Sequence, residues 1–326
     1  MSFEVTAFLR VGGYNMGGNS VDWLDTTKRD NRESDYNQLQ SEAAERLKTE
    51  AAVYCLQEVY DVKNPSLLVQ KAERPLIATL RNNHFEIHHA PGKPMDCVVA
   101  ISTQVFKNIQ NHSCRLGVTQ EDAAIVSATH RGTGQRVVFV SAHAPGCDLE
   151  ETVDEKDAKA GDDYCRLIAE KLSEIGNCSI QIIGIDINAC PEKWQRRFDQ
   201  FLGKSFVLHR TSQPTSIKPS SIKYRERELD YLFSRTFQRP RTWFEFFRMK
   251  FRHEFDICQL QTFKENPSDH EPVFGILTIH GQSSAFTKLK SGPWGLVMYA
   301  VSGLALAVLL RLVRDVFLKR GQRAIV

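Results

Sequence analysis

The segment SDHEPVFGILTI, residues 268–279, sets an Asp-His pair directly before a strand-like apolar run. A short run of this composition is typical of a β-strand, so the pair is predicted to lie where a strand begins. Earlier in the chain, other polar residues stand at the ends of apolar runs: Asn15, Gln57, Glu58, His143, Asp186 and Asn188. Together these residues indicate one site that cleaves phosphoesters.

The first 280 residues alternate short strand-like runs with helical stretches. The strand-like runs occupy residues 51–57, 97–102, 123–129, 136–143, 179–185 and 273–279. Apolar residues at helical spacing mark residues 39–51 and 164–175, and each such helix can cover a sheet face. The turn RGTGQ, residues 131–135, predicts a hairpin and hence an antiparallel pair. The polar stretch 211–228 is predicted to be a long loop. A purely parallel sheet is therefore not expected.

The C-terminal part of the chain differs in composition from the rest. Residues 294–310, WGLVMYAVSGLALAVLL, carry no charge and would form a helix of about 26 Å, the short end of what spans a bilayer. Basic flanks favour a membrane anchor over a buried core helix. We therefore predict a catalytic domain at 1–283, a linker at 284–293, a transmembrane anchor at 294–310 and a basic tail at 311–326.

The net charge of +3 comes from residues 284–326, the linker and the tail. The chain has 42 basic and 39 acidic residues, of which seven basic and one acidic lie in 284–326. Residues 1–283 therefore hold 35 basic and 38 acidic residues, a net charge of −3. A domain with this balance has no overall field that attracts nucleic acid. Eight cysteines without a CxxC pair or a signal peptide favour reduced, mostly buried thiols over disulfides.

Phosphoester hydrolysis needs a divalent cation, a group that activates water and a donor for the developing charge. Glu58 closes the apolar run AAVYCLQ, and a carboxylate at a strand end suits Mg²⁺, which keeps several of its waters. Asn15 precedes the pair Gly17-Gly18, which permits close approach of the backbone to a ligand. Taken singly, an exposed glutamate and a turn asparagine are the alternative interpretations.

Four further residues complete the set. In IIGIDINACP, one residue separates Asp186 from Asn188, so on an extended backbone both side chains point to the same side. There one can activate water and the other orient it. His143 follows VVFVSA directly, and a histidine with an ordinary structural hydrogen bond is the alternative. Asp230 in RELDYLF is predicted to pair with His270, because a buried carboxylate fixes the tautomer of an imidazole.

The order and contexts of these residues resemble the endonuclease/exonuclease/phosphatase superfamily, which includes deoxyribonuclease I-like nucleases, apurinic endonucleases, neutral sphingomyelinases and inositol polyphosphate 5-phosphatases. The resemblance covers about residues 4–280. It implies a four-layer α/β/β/α sandwich of two mixed, largely antiparallel sheets, to which the predicted C-terminal transmembrane helix is added. It also implies Mg²⁺, or Mn²⁺ as the alternative, bound near Asn15, Glu58 and Asp269.

The resemblance further assigns catalytic roles. It implies that Asp186 activates the water beside Asn188 and that His143 contacts the phosphate. Asp230 would orient His270. Two positions depart from the family pattern: Ile185 replaces a glycine, with Gly184 one residue earlier, and Asp96-Cys97 replaces the glycine before VVAIS.

The substrate depends on residues 235–255, which hold six basic residues through Arg252 and, interleaved with them, six aromatics through Phe251. We expect Arg241, Trp243 and Arg248 to form a rim of the active site. Such a segment suits stacking on single-stranded nucleic acid, a membrane interface, or an amphipathic core element with a solvated basic face. The anchor and the acidic domain favour a membrane lipid, of the sphingomyelinase or phospholipid-headgroup type.

Two other functions stay open. SAHAPG, around His143, resembles an element of deoxyribonuclease I-like enzymes, so a membrane-tethered DNA or RNA nuclease is the alternative. A non-catalytic tethered binding module is a further one. The bilayer and a phosphoester are the expected partners, and the sequence indicates no protein partner. Without a signal peptide, we expect a single-pass tail-anchored protein whose catalytic domain faces the cytosol.

Overall fold

Two six-stranded β-sheets form most of the structure, a computed structural model of the chain. The structure describes residues 4–16, 41, 44–45, 47–59, 75–91, 97–115, 123–144, 155–176, 178–187, 191–203, 206–210, 230–236, 254–258 and 272–282. Residues 6–280 form one compact unit, which contains the elements and contacts discussed below. Residues 1–5 and 281–326 form a second unit, of which only the ends of two strands are described.

The first sheet contains the strands β1 (Glu4–Asn15), β2 (Val53–Gln57), β3 (Phe85–His89), β4 (Val98–Ser102), β11 (Glu254–Cys258) and β12 (Val273–Gln282). Their order across the sheet is β11-β12-β1-β2-β4-β3. β1 and β2 are parallel, with Asn15 opposite Gln57. β2 with β4, β3 with β4, and β11 with β12 pair antiparallel, so the sheet is mixed, as predicted.

The second sheet contains β5 (Phe106–Asn111), β6 (Ala124–His130), β7 (Arg136–His143), β8 (Ile180–Asp186), β9 (Val207–His209) and β10 (Asp230–Thr236). Their order is β5-β6-β7-β8-β10-β9. β6 and β7 are the antiparallel pair predicted around residues 131–135. β7 and β8 are parallel, with His143 opposite Asp186. Each sheet therefore has a central parallel pair whose strands end in predicted site residues.

Helices cover the outer faces of both sheets. α1 (Pro75–Asn82) packs Leu76, Ile77 and Leu80 on the first sheet, and α2 (Glu155–Ile175) and α3 (Pro191–Phe201) cover the second with an aromatic cluster that includes Trp194. α3 begins at a proline, whose missing N–H needs no partner in a first turn. α2 ends before Gly176, whose φ of +60° suits a helix C-terminus. The layers follow the predicted α/β/β/α order.

The space between the sheets is filled by alternate residues of the central strands. Val11, Val53, Phe139, Ile182 and Leu232 belong to this apolar layer. Because successive strand side chains point to opposite faces, the same face continues at every second residue. That periodicity directs five polar side chains between the sheets at the strand ends: Asn15, Gln57, His143, Asp186 and Asp230.

Several predictions concern residues beyond those described. These are the loop 211–228, the linker 284–293, the anchor 294–310 and the tail 311–326. Within the described ranges, no helix is long and apolar enough to cross a bilayer. The domain boundaries stay predictions. Cys55 and Cys165 are buried thiols, as expected for these two positions.

Candidate metal centre

Four predicted residues from the two sheets meet at the ends of the parallel strands. Asn15 Nδ2 donates a hydrogen bond of 2.7 Å to Asp186 Oδ2 and lies 3.3 Å from Glu58 Oε1. His143 Nε2 lies 3.4 Å from Glu58 Oε1 and 3.7 Å from Asp186 Oδ2. Two of these four contacts cross from one sheet to the other, so the cluster exists only where the sheets face each other.

Strand register explains the convergence. Asn15 is opposite Gln57, the residue before Glu58, in the first sheet, and His143 is opposite Asp186 in the second. Parallel strands end at the same edge of a sheet, so each pair delivers its polar residues together. Ala144 N–H then donates to the Asp186 carbonyl at 2.8 Å, which continues the parallel pairing past the last strand residue.

Glu58 reaches the cluster through an unusual backbone conformation. Its φ is +49°, in the left-handed region that residues other than glycine rarely occupy. An extended backbone would point Glu58 to the face opposite that of Gln57, away from the second sheet. The left-handed turn brings its carboxylate beside His143. Non-glycine residues in this region concentrate at functional sites, where the surrounding structure maintains the strain.

The donor set fits a divalent cation. One ligand atom each from Glu58, His143 and Asp186 lies within 4.8 Å of the others. Their side chains are 12%, 8% and 1% exposed. Two carboxylates in so little water are costly unless a positive charge compensates them. The carboxylate oxygens of Glu58 and Asp186 suit Mg²⁺ and Mn²⁺.

Asn15 acts on the carboxylates through its amide nitrogen. The nitrogen donates to Asp186 and faces Glu58, so it holds the two carboxylates from the side of the first sheet. The sequence predicted Asn15 as a metal ligand, which requires the amide oxygen. Binding a cation through Oδ1 needs the amide group to be turned over from the orientation seen here.

His143 is fixed by a contact that the sequence analysis missed. Its backbone N–H donates to the hydroxyl of Tyr164, on α2, at 3.1 Å. Tyr164 is buried, and it stands on the apolar stripe that predicted α2. A tyrosine on such a stripe carries a hydroxyl into the core, and that hydroxyl needs a partner. The tyrosine on this stripe is therefore the feature of the sequence that could have indicated the contact.

Asp230 lies beside the cluster, and other predicted residues fall outside the described ranges. Asp230 is the antiparallel partner of Asp186 and is buried. Its predicted partner His270 is not among the described residues, so that pairing stays a prediction. Also outside them are Asn188, Asp269 and the three rim residues Arg241, Trp243 and Arg248.

The displaced glycine has a packing role. A side chain at Gly184 would place its Cβ 2.5 Å from the Cβ of Cys55, which lies on β2 in the opposite sheet. Ile185 points to the other face, where it packs with the helices. Burial raises the pKa of the Cys55 thiol to about 12, so this neighbour of the site is a neutral thiol. Gly184 thus lets the two sheets approach just below the cluster.

Solved structures share this architecture, although no protein-family model and no curated protein matches the sequence. An endonuclease/exonuclease/phosphatase family protein from Bacteroides thetaiotaomicron aligns with a TM-score of 0.56 and 15% identity, covering 85% of this chain and 97% of that one. TDP2 from D. rerio, complexed with a single-strand DNA product, aligns with a TM-score of 0.54 and 13% identity, covering 83% of this chain and 99% of that one.

A third neighbour acts on a different class of compound. A mannosyl-6-phosphatase from Bacteroides thetaiotaomicron gives a TM-score of 0.51 and 15% identity, covering 83% of this chain and 100% of that one. At such identities the likeness concerns the fold. The chain has the fold of endonuclease/exonuclease/phosphatase proteins, as the resemblance implied.

Proposed function

We propose that this chain, which has the endonuclease/exonuclease/phosphatase fold, is a divalent-metal-dependent phosphoester hydrolase. The observation that carries the proposal is the grouping of Glu58, His143 and Asp186 within 4.8 Å, at strand ends contributed by both sheets. A nearly buried arrangement of two carboxylates and an imidazole is costly for stability alone, which supports a role in binding and catalysis.

The residues divide the chemistry as follows. Glu58 and Asp186 would hold the cation between them. Such a cation would neutralise negative charge on the phosphate and would lower the pKa of water at the site. Asp186 accepts the proton of the attacking water, and Asn15 fixes the orientation of its carboxylate through Oδ2. His143 donates an N–H to a phosphate oxygen.

The proposal includes four residues outside this geometry. Asp230 orients His270, as the family resemblance implies. Asp269 contributes to the metal site and Asn188 orients the water. These roles come from the sequence, and the position of Asp230 beside Asp186 is compatible with them.

We favour a membrane lipid as the substrate. The support is the apolar run 294–310 with its basic flanks and the net charge of −3 on residues 1–283. On this proposal the chain is tail-anchored, its catalytic domain faces the cytosol, and Arg241, Trp243 and Arg248 contact the lipid headgroup layer.

A nuclease is the second candidate, because a specific observation favours it. The interleaved basic and aromatic residues of 235–255 suit stacked single-stranded nucleic acid. One fold neighbour is complexed with single-strand DNA, but another is a mannosyl-6-phosphatase, so the fold does not select the substrate.

A substrate panel tests the proposal. The full chain, in detergent or vesicles with Mg²⁺ or Mn²⁺, is assayed on sphingomyelin, phospholipids, and single- and double-stranded DNA and RNA. The blank is Asp186→Ala. The matched control is Asp163→Ala, which removes a carboxylate from the surface of α2, where it pairs with Arg166.

The expected result is lipid hydrolysis that Asp186→Ala abolishes and Asp163→Ala retains. Cleavage of nucleic acid alone would establish the nuclease instead. Equal turnover in Asp186→Ala and the unaltered chain would contradict the site. If no substrate is cleaved, and if the biological effect of the protein in cells is the same in Asp186→Ala as in the unaltered chain, the chain is a tethered binding module.

A further inference from the structure

We propose that Gln57 and Ser141 are positioning residues, which form a polar bridge between the sheets that sets the geometry of the metal centre. The inference rests on the proposed function, because it concerns the same site. The centre is split between the sheets, with Asn15 and Glu58 on the first and His143 and Asp186 on the second. The spacing of their ligand atoms therefore depends on how the two sheets are held together.

Apolar contacts fix that spacing poorly. Side chains between packed sheets exclude water, but their attraction has no direction, and hydrophobic swaps of similar volume are tolerated. A metal centre needs its ligand atoms within about 0.5 Å of the productive arrangement. A directional link between the sheets, close to the ligands, meets this requirement.

The bridge consists of hydrogen bonds in both directions. Gln57 Nε2, on β2, lies 3.0 Å from Ser141 Oγ on β7 and 3.1 Å from the Gly184 carbonyl on β8. Ser141 Oγ donates back to the Leu56 carbonyl on β2 at 2.6 Å. Gln57 and Ser141 are 1% and 0% exposed. Because little water reaches these side chains, removal of one partner leaves the other polar groups buried without a hydrogen bond.

The position of the bridge ties it to the centre. Each bridging residue lies close in sequence to a residue of the cluster. Gln57 directly precedes Glu58. Ser141 and Gly184 lie two residues before His143 and Asp186, on the same face of their strands. The absence of a side chain at Gly184 permits the close approach of Cys55 from the first sheet. Within the first sheet, Met16 N–H donates to the backbone carbonyl of Gln57 at 2.8 Å, directly before the left-handed turn at Glu58.

The chain contains a matched control for Ser141. Ser127, on β6 of the same sheet, is equally buried, and its hydroxyl contacts the side chains of His112 at 2.9 Å and Arg136 at 3.1 Å. Arg136 is the first residue of β7, in the same sheet as Ser127, and His112 directly follows β5 of that sheet. Ser127→Ala therefore removes the same oxygen from an equally buried place without cutting a link between the sheets.

The test is calorimetric titration of the full chain, in detergent, with MnCl₂. Ser141→Ala and Gln57→Met, which keeps the bulk but not the amide, should each weaken Mn²⁺ binding about 10- to 100-fold, the range for residues that support ligands. Ser127→Ala should bind as the unaltered chain does. The double variant should bind Mn²⁺ no more weakly than the weaker-binding of the two single variants, because Gln57 and Ser141 belong to one bridge.

Thermal unfolding without metal checks that each variant is folded. If Ser141→Ala or Gln57→Met does not fold, Ser141→Cys, which keeps the size but weakens the hydrogen bond, decides in its place. Unchanged Mn²⁺ affinity in the bridge variants, or equal weakening in Ser127→Ala, would overturn the inference. Asp186→Ala separates the two proposals: if it still binds Mn²⁺ normally, the metal centre itself is wrong, whatever the bridge variants do.

Discussion

The backbone at Glu58 shows how a single residue adapts a strand to a site. A regular end to β2 would send this side chain to the outer face of the sheet, and the left-handed turn returns it to the side where the second sheet lies. For a residue with a Cβ, such a turn costs about 1–2 kcal/mol. The rest of the fold supplies that energy, in the way that strained residues at active sites are usually maintained.

Two substitutions of Glu58 isolate this strain. Glu58→Gly and Glu58→Ala both remove the carboxylate, so they differ only in the Cβ and in the freedom of the unfolded chain. Glycine normally costs about 0.5–1 kcal/mol relative to alanine in a strand or helix. At a φ of +49° we expect the order to reverse, with Glu58→Gly the more stable by about 1 kcal/mol in urea unfolding. A more stable Glu58→Ala would show that the turn is not strained.

At the level of elements, the central strands carry both the core and the site. Along most of β7 and β8, alternate residues fill the apolar core between the sheets. Near the ends of the two strands, the same face presents Ser141, His143 and Asp186. Packing between the sheets therefore controls the chemistry at their edge. Gly184 and the β6–β7 hairpin are two places where this packing can be probed.

Gly184→Ala should destabilise the chain, because the new Cβ would lie 2.5 Å from that of Cys55. Overpacking of this kind typically costs about 1–3 kcal/mol. Gly13→Ala is the matched control: it also adds a methyl group to a strand glycine that faces the second sheet, but the nearest atom, on Leu232, is 3.4 Å away. Urea unfolding of both variants measures the difference. Equal stabilities would mean that the sheets are not in close contact at Gly184.

The β6–β7 hairpin should make stability depend on pH through His130. Its Nδ1 accepts the Thr133 N–H at 3.1 Å, and burial lowers the pKa of the imidazole. The neutral ring is favoured in the folded state, so its stabilising contribution is complete above the unfolded pKa of about 6.5 and declines as pH falls towards the lowered folded pKa.

The measurement is the free energy of unfolding at neutral and mildly acidic pH. His130→Gln should lose less stability on acidification than the unaltered chain. The control is His84→Gln, which replaces a histidine at an exposed position. An identical pH dependence in all three proteins would exclude His130 as a contributor.

For the whole molecule, the central strands and the types of site residue were predictable from the sequence. β7 has the predicted bounds because an unbroken apolar run ends in a polar residue. Edge strands were missed: β5, FKNIQN, buries little beyond Phe106, so it has no continuous apolar signal. The turn at Glu58, the amide orientation of Asn15 and the bridge through Ser141 depend on contacts between distant segments, which local patterns do not encode.

The membrane anchor is a prediction for the full chain. Replacing Leu304 and Leu306 by arginine should release the protein from vesicles in a flotation assay, since a charge at the centre of a span costs about 2.5–3.5 kcal/mol per residue. The control places the same two charges in the linker, at Ala285 and Thr287. Flotation that is equal in both variants would contradict an anchor at 294–310.

The most direct test of the central claim is hydrolysis of simple phosphoesters by the full chain. We would measure release of nitrophenol from bis(p-nitrophenyl) phosphate and p-nitrophenyl phosphate with Mg²⁺ or Mn²⁺, with excess EDTA, and in Asp186→Ala and Asp163→Ala. We expect metal-dependent release from at least one ester, which EDTA and Asp186→Ala abolish and Asp163→Ala preserves. Release that persists in EDTA or in Asp186→Ala would contradict a metal-dependent phosphoesterase centred on Glu58, His143 and Asp186.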